Sequence, residues 1–222
     1  MKRWVLLGLI LCWYGIGYGQ NFQFHYDLGK DRKYVTTTFE MFKPDEYGST
    51  FWFIDMDYNR TRPNGLPGMS LSYLELARYV TIPRLQKLSA TAQYNDGLVG
   101  PFPLGPVWLF GVSYPIDLGF VTLNTDLLYR NAYNSDGPDA QLTLVWQKSL
   151  LADNRLTLMG FMDLWTADKA AGGKQFVLLS EPQVWYRVTD HLNLGGEVEI
   201  SNNFLPDEKF GVKPTLGFKW IF

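Results

Sequence analysis

The last seven residues, Leu216-Gly217-Phe218-Lys219-Trp220-Ile221-Phe222, set an aromatic ring at every second position and stop on a Phe. Alternation at period two makes a strand with one apolar face and one mixed face. The other end of the chain says where such a strand goes. Met1-Lys2-Arg3 is a positive start, Trp4 to Tyr14 a short apolar run, and Gly17-Tyr18-Gly19 a small-x-small site before Gln20. Together they read as a secretory signal over residues 1–19, removed on export. The apolar run falls short of the roughly 20 residues of a membrane-spanning helix. Cys12 follows Leu11, where a lipid-attachment site needs a small residue, so no lipid anchor is expected. It is the only cysteine, so the mature chain holds no disulfide, thiolate metal site or cysteine nucleophile.

Residues 20–222 suit one domain. The formal net charge of −2 and pI of about 5.7 offer no basic field to a nucleic-acid polymer. Aromatic residues make up 16% of the chain, which two girdles at membrane interfaces would explain. Beyond the signal no apolar run is long enough to span as a helix. A membrane protein without such runs must be a closed barrel, because lipid gives backbone groups no hydrogen-bond partner. The aromatic ending resembles the final strand of bacterial outer-membrane β-barrels, whose terminal aromatic the insertion machinery reads. By that resemblance Phe222 is the partner of this machinery.

The fold class expected is therefore all-β, an antiparallel transmembrane β-barrel of about 12 strands. Ten-residue alternating segments run near 22–27, 33–42, 50–58, 69–80, 86–94, 107–114, 119–130, 140–150, 155–165, 174–188, 192–201 and 209–222. Turn chemistry separates them, as in Arg62-Pro63-Asn64-Gly65-Leu66-Pro67-Gly68, Asn95-Asp96-Gly97 and Asn134-Ser135-Asp136-Gly137-Pro138. Compact turns are expected at Ile82-Pro83-Arg84, Pro115-Ile116-Asp117, Asp153-Asn154 and Thr189-Asp190-His191. Longer loops are expected at 59–68, 95–106, 131–139 and 202–208. Short turns on one side and long loops on the other are the asymmetry of outer-membrane barrels.

Residue parity assigns the faces. Trp52, Ile54, Met56 and Tyr58 share one side of their strand, and Phe51, Phe53, Asp55 and Asp57 the other. Carboxylates are costly in lipid, so the aspartates point inward. The same argument turns Glu40, Glu75, Asp126, Asp163, Glu181, Glu197 and Glu199 inward, with Lys87, Arg130, Arg187 and Lys219 as bases. The lumen also gains Tyr34, Tyr73, Phe161, Trp165 and Trp185. Flat solutes such as nucleobases stack on such rings, and ribose hydroxyls bond carboxylates and amides. The competing expectation is that the rings fill a narrow barrel and the charges pair into an internal plug.

Catalysis has thin support in the residues. A lipid-modifying barrel enzyme would hold a His–Ser pair near the rim, facing lipid. His191 lies in a tight turn, and His25 falls on the inward face with Gln23 and Asp27 and no local serine. The pairs at 55/57 and 197/199 put two carboxylates on one strand face, where solvated charge outweighs calcium binding. No metal or other cofactor is expected. The sequon Asn59-Arg60-Thr61 carries no weight in bacterial export.

Three stretches carry a closer likeness: Tyr34-Val35-Thr36-Thr37-Thr38-Phe39-Glu40-Met41-Phe42, Phe51-Trp52-Phe53-Ile54-Asp55-Met56-Asp57 and Ser72-Tyr73-Leu74-Glu75-Leu76-Ala77-Arg78-Tyr79. With the closing strand they resemble the Tsx-type nucleoside-specific outer-membrane channels. The resemblance implies a twelve-stranded monomeric barrel with a narrow lumen lined by Glu40, Phe51, Phe53, Asp55, Asp57 and Glu75, to which parity adds Tyr34 and Tyr73. Trp165, Glu181 and Arg187 complete the expected lining. It implies passive diffusion of small polar solutes, nucleosides first, through the outer membrane and in contact with its lipid. A plugged structural barrel and a lipid-modifying enzyme are the alternatives.

Overall fold

The computed structural model describes residues 19–30, 32–59, 68–85, 87–205 and 208–222; the signal segment and most of the loop after Tyr58 lie outside them. Among the described residues there is no helix, and one continuous antiparallel sheet closes on itself.

Twelve long strands build it. They are β1 (Gln20–Asp27), β2 (Val35–Asp45), β3 (Gly48–Tyr58), β4 (Leu71–Thr81), β5 (Ser89–Val99) and β6 (Val107–Asp117). β7 (Thr122–Ala132), β8 (Asp139–Ser149) and β9 (Leu156–Asp168) follow. β10 runs as Lys174–Ser180 and Gln183–Arg187, then come β11 (Leu192–Leu205) and β12 (Glu208–Ile221). Pro182 has no N–H to give the ladder, which explains the gap in β10. The register does not slip there, since Ser180 opposes Met162 and Gln183 opposes Met159. Phe102–Pro103 folds back on the end of β5.

Every strand pairs with its chain neighbours, and β1 pairs β12 to close the ring, with Phe22 opposite Trp220 and His25 opposite Gly217. Closure leaves no unpaired edge for lipid to meet. A Cβ added at Gly217 would run into the backbone carbonyl of Phe24, so the seam needs a glycine there.

Parity along the strands separates two surfaces. The outer one carries exposed large apolar residues around the whole wall, among them Leu76, Phe110, Leu127, Val184, Leu194 and Leu216. A soluble protein does not expose so continuous an apolar surface. Tyr26, Tyr58, Tyr129, Phe176 and Phe210 lie near one end of their strands, and Tyr114, Tyr186, Trp220 and Phe222 near the other. These are the two aromatic girdles. A closed barrel with a lipid-facing band places the protein in the bacterial outer membrane.

Some sequence expectations need correction. Asn95-Asp96-Gly97 is not a turn: β5 runs on to Val99, because Tyr73 to Leu71 of β4 offer it continued pairing. The chain reverses at Gly100, whose φ of 58° suits glycine. Pro115-Ile116-Asp117 also stays in its strand. The reversal comes three residues later, where the Gly119 N–H donates to Asp117 Oδ1 at 2.8 Å and Gly119 has φ 82°. The loop expected over 202–208 shrinks, since β11 and β12 reach Leu205 and Glu208. Lys87 sits in the exposed turn between β4 and β5, not in the lumen. The turn at 62–67 lies outside the described residues.

Candidate functional site in the barrel lumen

Neighbouring strands carry inward residues across the wall in rungs. Glu40 of β2 opposes Phe53 of β3, which opposes Glu75 of β4, which opposes Asn95 of β5. One rung away, Thr38, Asp55 and Tyr73 align. The side chains interlock along and across these rungs. Phe51 and Phe53 have ring centroids 5.9 Å apart, and Phe53 and Tyr73 6.1 Å, all tilted. The Thr38 hydroxyl donates to Asp55, and Thr36 Oγ1 donates to Asp57 at 2.6 Å. Glu75 Oε1 accepts from Tyr73 at 2.6 Å and from Asn95 Nδ2 at 3.0 Å. Tyr34 stands beside Asp57 and Arg32. Asn21 Nδ2 donates to Glu40 at 2.9 Å.

The facing wall is β9 to β11. Asp163 accepts from Thr143, and Trp165 lies under the Arg130 guanidinium, 5.6 Å from ring to carbon. Glu197 accepts from Gln183 at 2.9 Å. Glu181 interacts electrostatically with Glu197 beside it and with Asp55 across the lumen. The structure thus brings ten of the eleven sequence-predicted residues onto two facing walls. Arg187 is apart from them. Its Nη2 donates to the Asp153 carbonyl at 3.0 Å, in the turn between β8 and β9.

Phe51, Phe53, Asp55, Tyr73, Glu75, Asp163, Glu181 and Glu197 are all half-buried. Inside a closed wall, that remaining surface faces a water-accessible lumen. Other inward residues are packed. Leu109 is 0% exposed, Leu128 4%, and Asp126 2%, where it accepts from Tyr79 Oη at 2.8 Å and Gln93 Nε2 at 3.0 Å. A second packed group joins β1, β10 and β12. His25, 1% exposed, meets Thr215 Oγ1 at 2.9 Å and Gln23 Oε1 at 3.2 Å, and its ring lies edge-on to Trp185. Lys219 Nζ lies 4.7 Å from the Trp185 ring centre. His25 therefore points away from lipid.

Sequence reasoning missed a knot on the inner wall at the loop end. Arg32 Nη1 donates to Glu199 at 2.6 Å, and Lys213 Nζ to the same carboxylate at 3.3 Å. Parity from Lys219 would have found Lys213; no local pattern announces Arg32. Asn95 was hidden by its turn-like neighbours. Lys174 ties Asp168 and Asp139 at the same end, at 2.6 and 3.2 Å. Among the described residues no group of three or more His, Cys, Asp or Glu is arranged to hold a metal ion.

Solved structures with this architecture include porins. The NanC porin aligns with a TM-score of 0.59 at 8% identity, over 90% of this chain and 98% of its own. The KdgM porin aligns at 0.52 with 9% identity, over 92% and 99%. KdgM in complex with disordered oligogalacturonate aligns at 0.51 with 9% identity, over the same shares. Such distant likeness speaks for the fold. No curated protein matches the sequence. A family model described as "Domain of unknown function (DUF5020)" matches residues 19–222, so the chain belongs to that family.

Proposed function

We propose that this protein is a passive outer-membrane channel for small polar solutes, with nucleosides as the leading candidates. The observation that carries the reading is the half-buried patch of Phe51, Phe53 and Tyr73 beside Asp55 and Glu75, inside a closed wall. Rings offer a flat solute a stacking surface, and the adjacent carboxylates accept hydrogen bonds from hydroxyls and amines. Transport then proceeds by weak binding at successive sites, strong enough to admit and weak enough to release. The porin architecture of the structural neighbours supports a channel. The oligogalacturonate named with KdgM is an acidic saccharide, and the carboxylates here give no reason to carry it over.

A plugged barrel is the second reading, favoured by the packed groups around Leu109 and His25. Single-channel recording of the refolded protein in a planar bilayer, with adenosine titrated in, separates the two. A small conductance that falls saturably with adenosine supports the nucleoside channel. Conductance indifferent to nucleosides keeps the channel and removes the substrate. A folded barrel that never conducts supports the plug.

A further inference from the structure

The lumen's acids and bases are not distributed alike. Arg32 and Lys213 both sit on Glu199, so their charge is answered locally. Arg130 lies over Trp165 and Lys219 over Trp185, and among the described residues neither reaches a carboxylate at ion-pair distance. The carboxylates of Asp55, Glu75 and Asp163 are held by neutral donors alone: Thr38, Tyr73 with Asn95, and Thr143. Glu197 has Gln183 and, at 3.7 Å, the buried His25 ring. These acids come from opposite walls, β3 and β4 against β9 to β11. Glu75 stands within electrostatic reach of Asp163, and Asp55 of Glu181 and Glu197, while Arg130 reaches Glu75 and Asp163 and Lys219 reaches Glu197 from beyond ion-pair distance.

One further observation points to a missing donor. The Glu181 carboxylate makes no hydrogen bond and no ion pair among the described residues, although it is only half-buried inside the closed wall; its N–H is held by the Phe161 carbonyl at 3.1 Å. Carboxylates with lone pairs open to the lumen suit a passing ammonium, guanidinium or other N–H donor. They are the wrong surface for an anion.

We propose that the facing carboxylates of Asp55, Glu75, Asp163, Glu181 and Glu197 make this lumen select cationic small solutes over anionic ones. The proposal rests on the channel reading above and names its charge preference. Carboxylates lining a narrow low-dielectric passage concentrate cations and exclude anions.

Reversal potentials across a planar bilayer holding a potassium chloride gradient test it. The wild-type channel is expected to pass potassium over chloride. The Glu75→Gln/Glu181→Gln variant, checked for folding by its heat-modifiable mobility in gels, is expected to lower that preference at least about twofold. A second measurement needs no variant: liposomes holding the wild-type protein should take up arginine faster than glutamate. Chloride preference, equal permeability, or an unchanged ratio in a folded double variant would overturn the charge assignment while leaving the channel standing. A folded wild-type barrel that conducts nothing would overturn the channel reading and this proposal with it.

Discussion

Two parts of one inner wall, built from the same alternation, end in opposite states. Around β4 to β7, Leu109 and Leu128 are buried and Asp126 is satisfied by Tyr79 and Gln93. Around β3, β4 and β9 to β11, the acids and rings stay half-buried and most acids have only neutral donors. The first region is interior in the ordinary sense, with close packing and paired polar groups. The second has polar groups whose remaining partners must come from water or solute. Stability belongs to the first, and the proposed selectivity to the second.

The comparison is broken most strongly at Leu109. Leu109→Ala should cost about 2–5 kcal/mol of stability, the usual penalty for emptying a packed site, with conductance largely retained. Urea unfolding of the refolded barrel in lipid reads the first and bilayer recording the second. A loss below about 0.5 kcal/mol would mean this region is not packed.

The outer face gives the next effect. Leu127 is 60% exposed on the lipid side of β7, and Leu127→Arg should cost about 2–4 kcal/mol in the same unfolding assay. A neutral outcome would argue against lipid at that face.

Phe53→Ala moves to the open region and should leave assembly intact. It removes the central ring of the Phe51–Phe53–Tyr73 patch, so adenosine block should weaken by the equivalent of about 1–3 kcal/mol of stacking. Asp55→Ala should act more gently, because Asp55 gives up one hydrogen bond, from Thr38, and keeps accessible surface. Stability should move by about 1 kcal/mol or less, with a measurable change in adenosine affinity. If both variants handled nucleosides like the parent, the nucleoside assignment would lose its basis.

How much could be read beforehand differs by level. Face assignment was legible because a carboxylate in lipid is costly and period two fixes its neighbours; Asp55, Asp57 and Glu75 followed at once. Turn positions were less so. Asn95-Asp96-Gly97 has strong local turn chemistry, yet pairing with β4 outweighs it. Pro115-Ile116-Asp117 was expected to be a compact turn, but the Asp117–Gly119 hydrogen bond sets the reversal further on. Arg32 was illegible, because it reaches Glu199 from a loop 167 positions away in the chain. Arg187 shared its parity with Glu181 but stands at the end of its strand, where the turn carbonyl of Asp153 takes it.

From the sequence alone followed the twelve strands, the closed barrel and the face of nearly every strand residue. These depend on local alternation and on the cost of open backbone in lipid. Only the tertiary structure decided which inward residues meet. That rests on register between strands distant in the chain and on the β1–β12 seam. Leu109 is sealed and the Glu181 carboxylate left without a hydrogen bond because side chains from different walls must share one narrow space, and alternation along a single strand carries no information about the wall opposite.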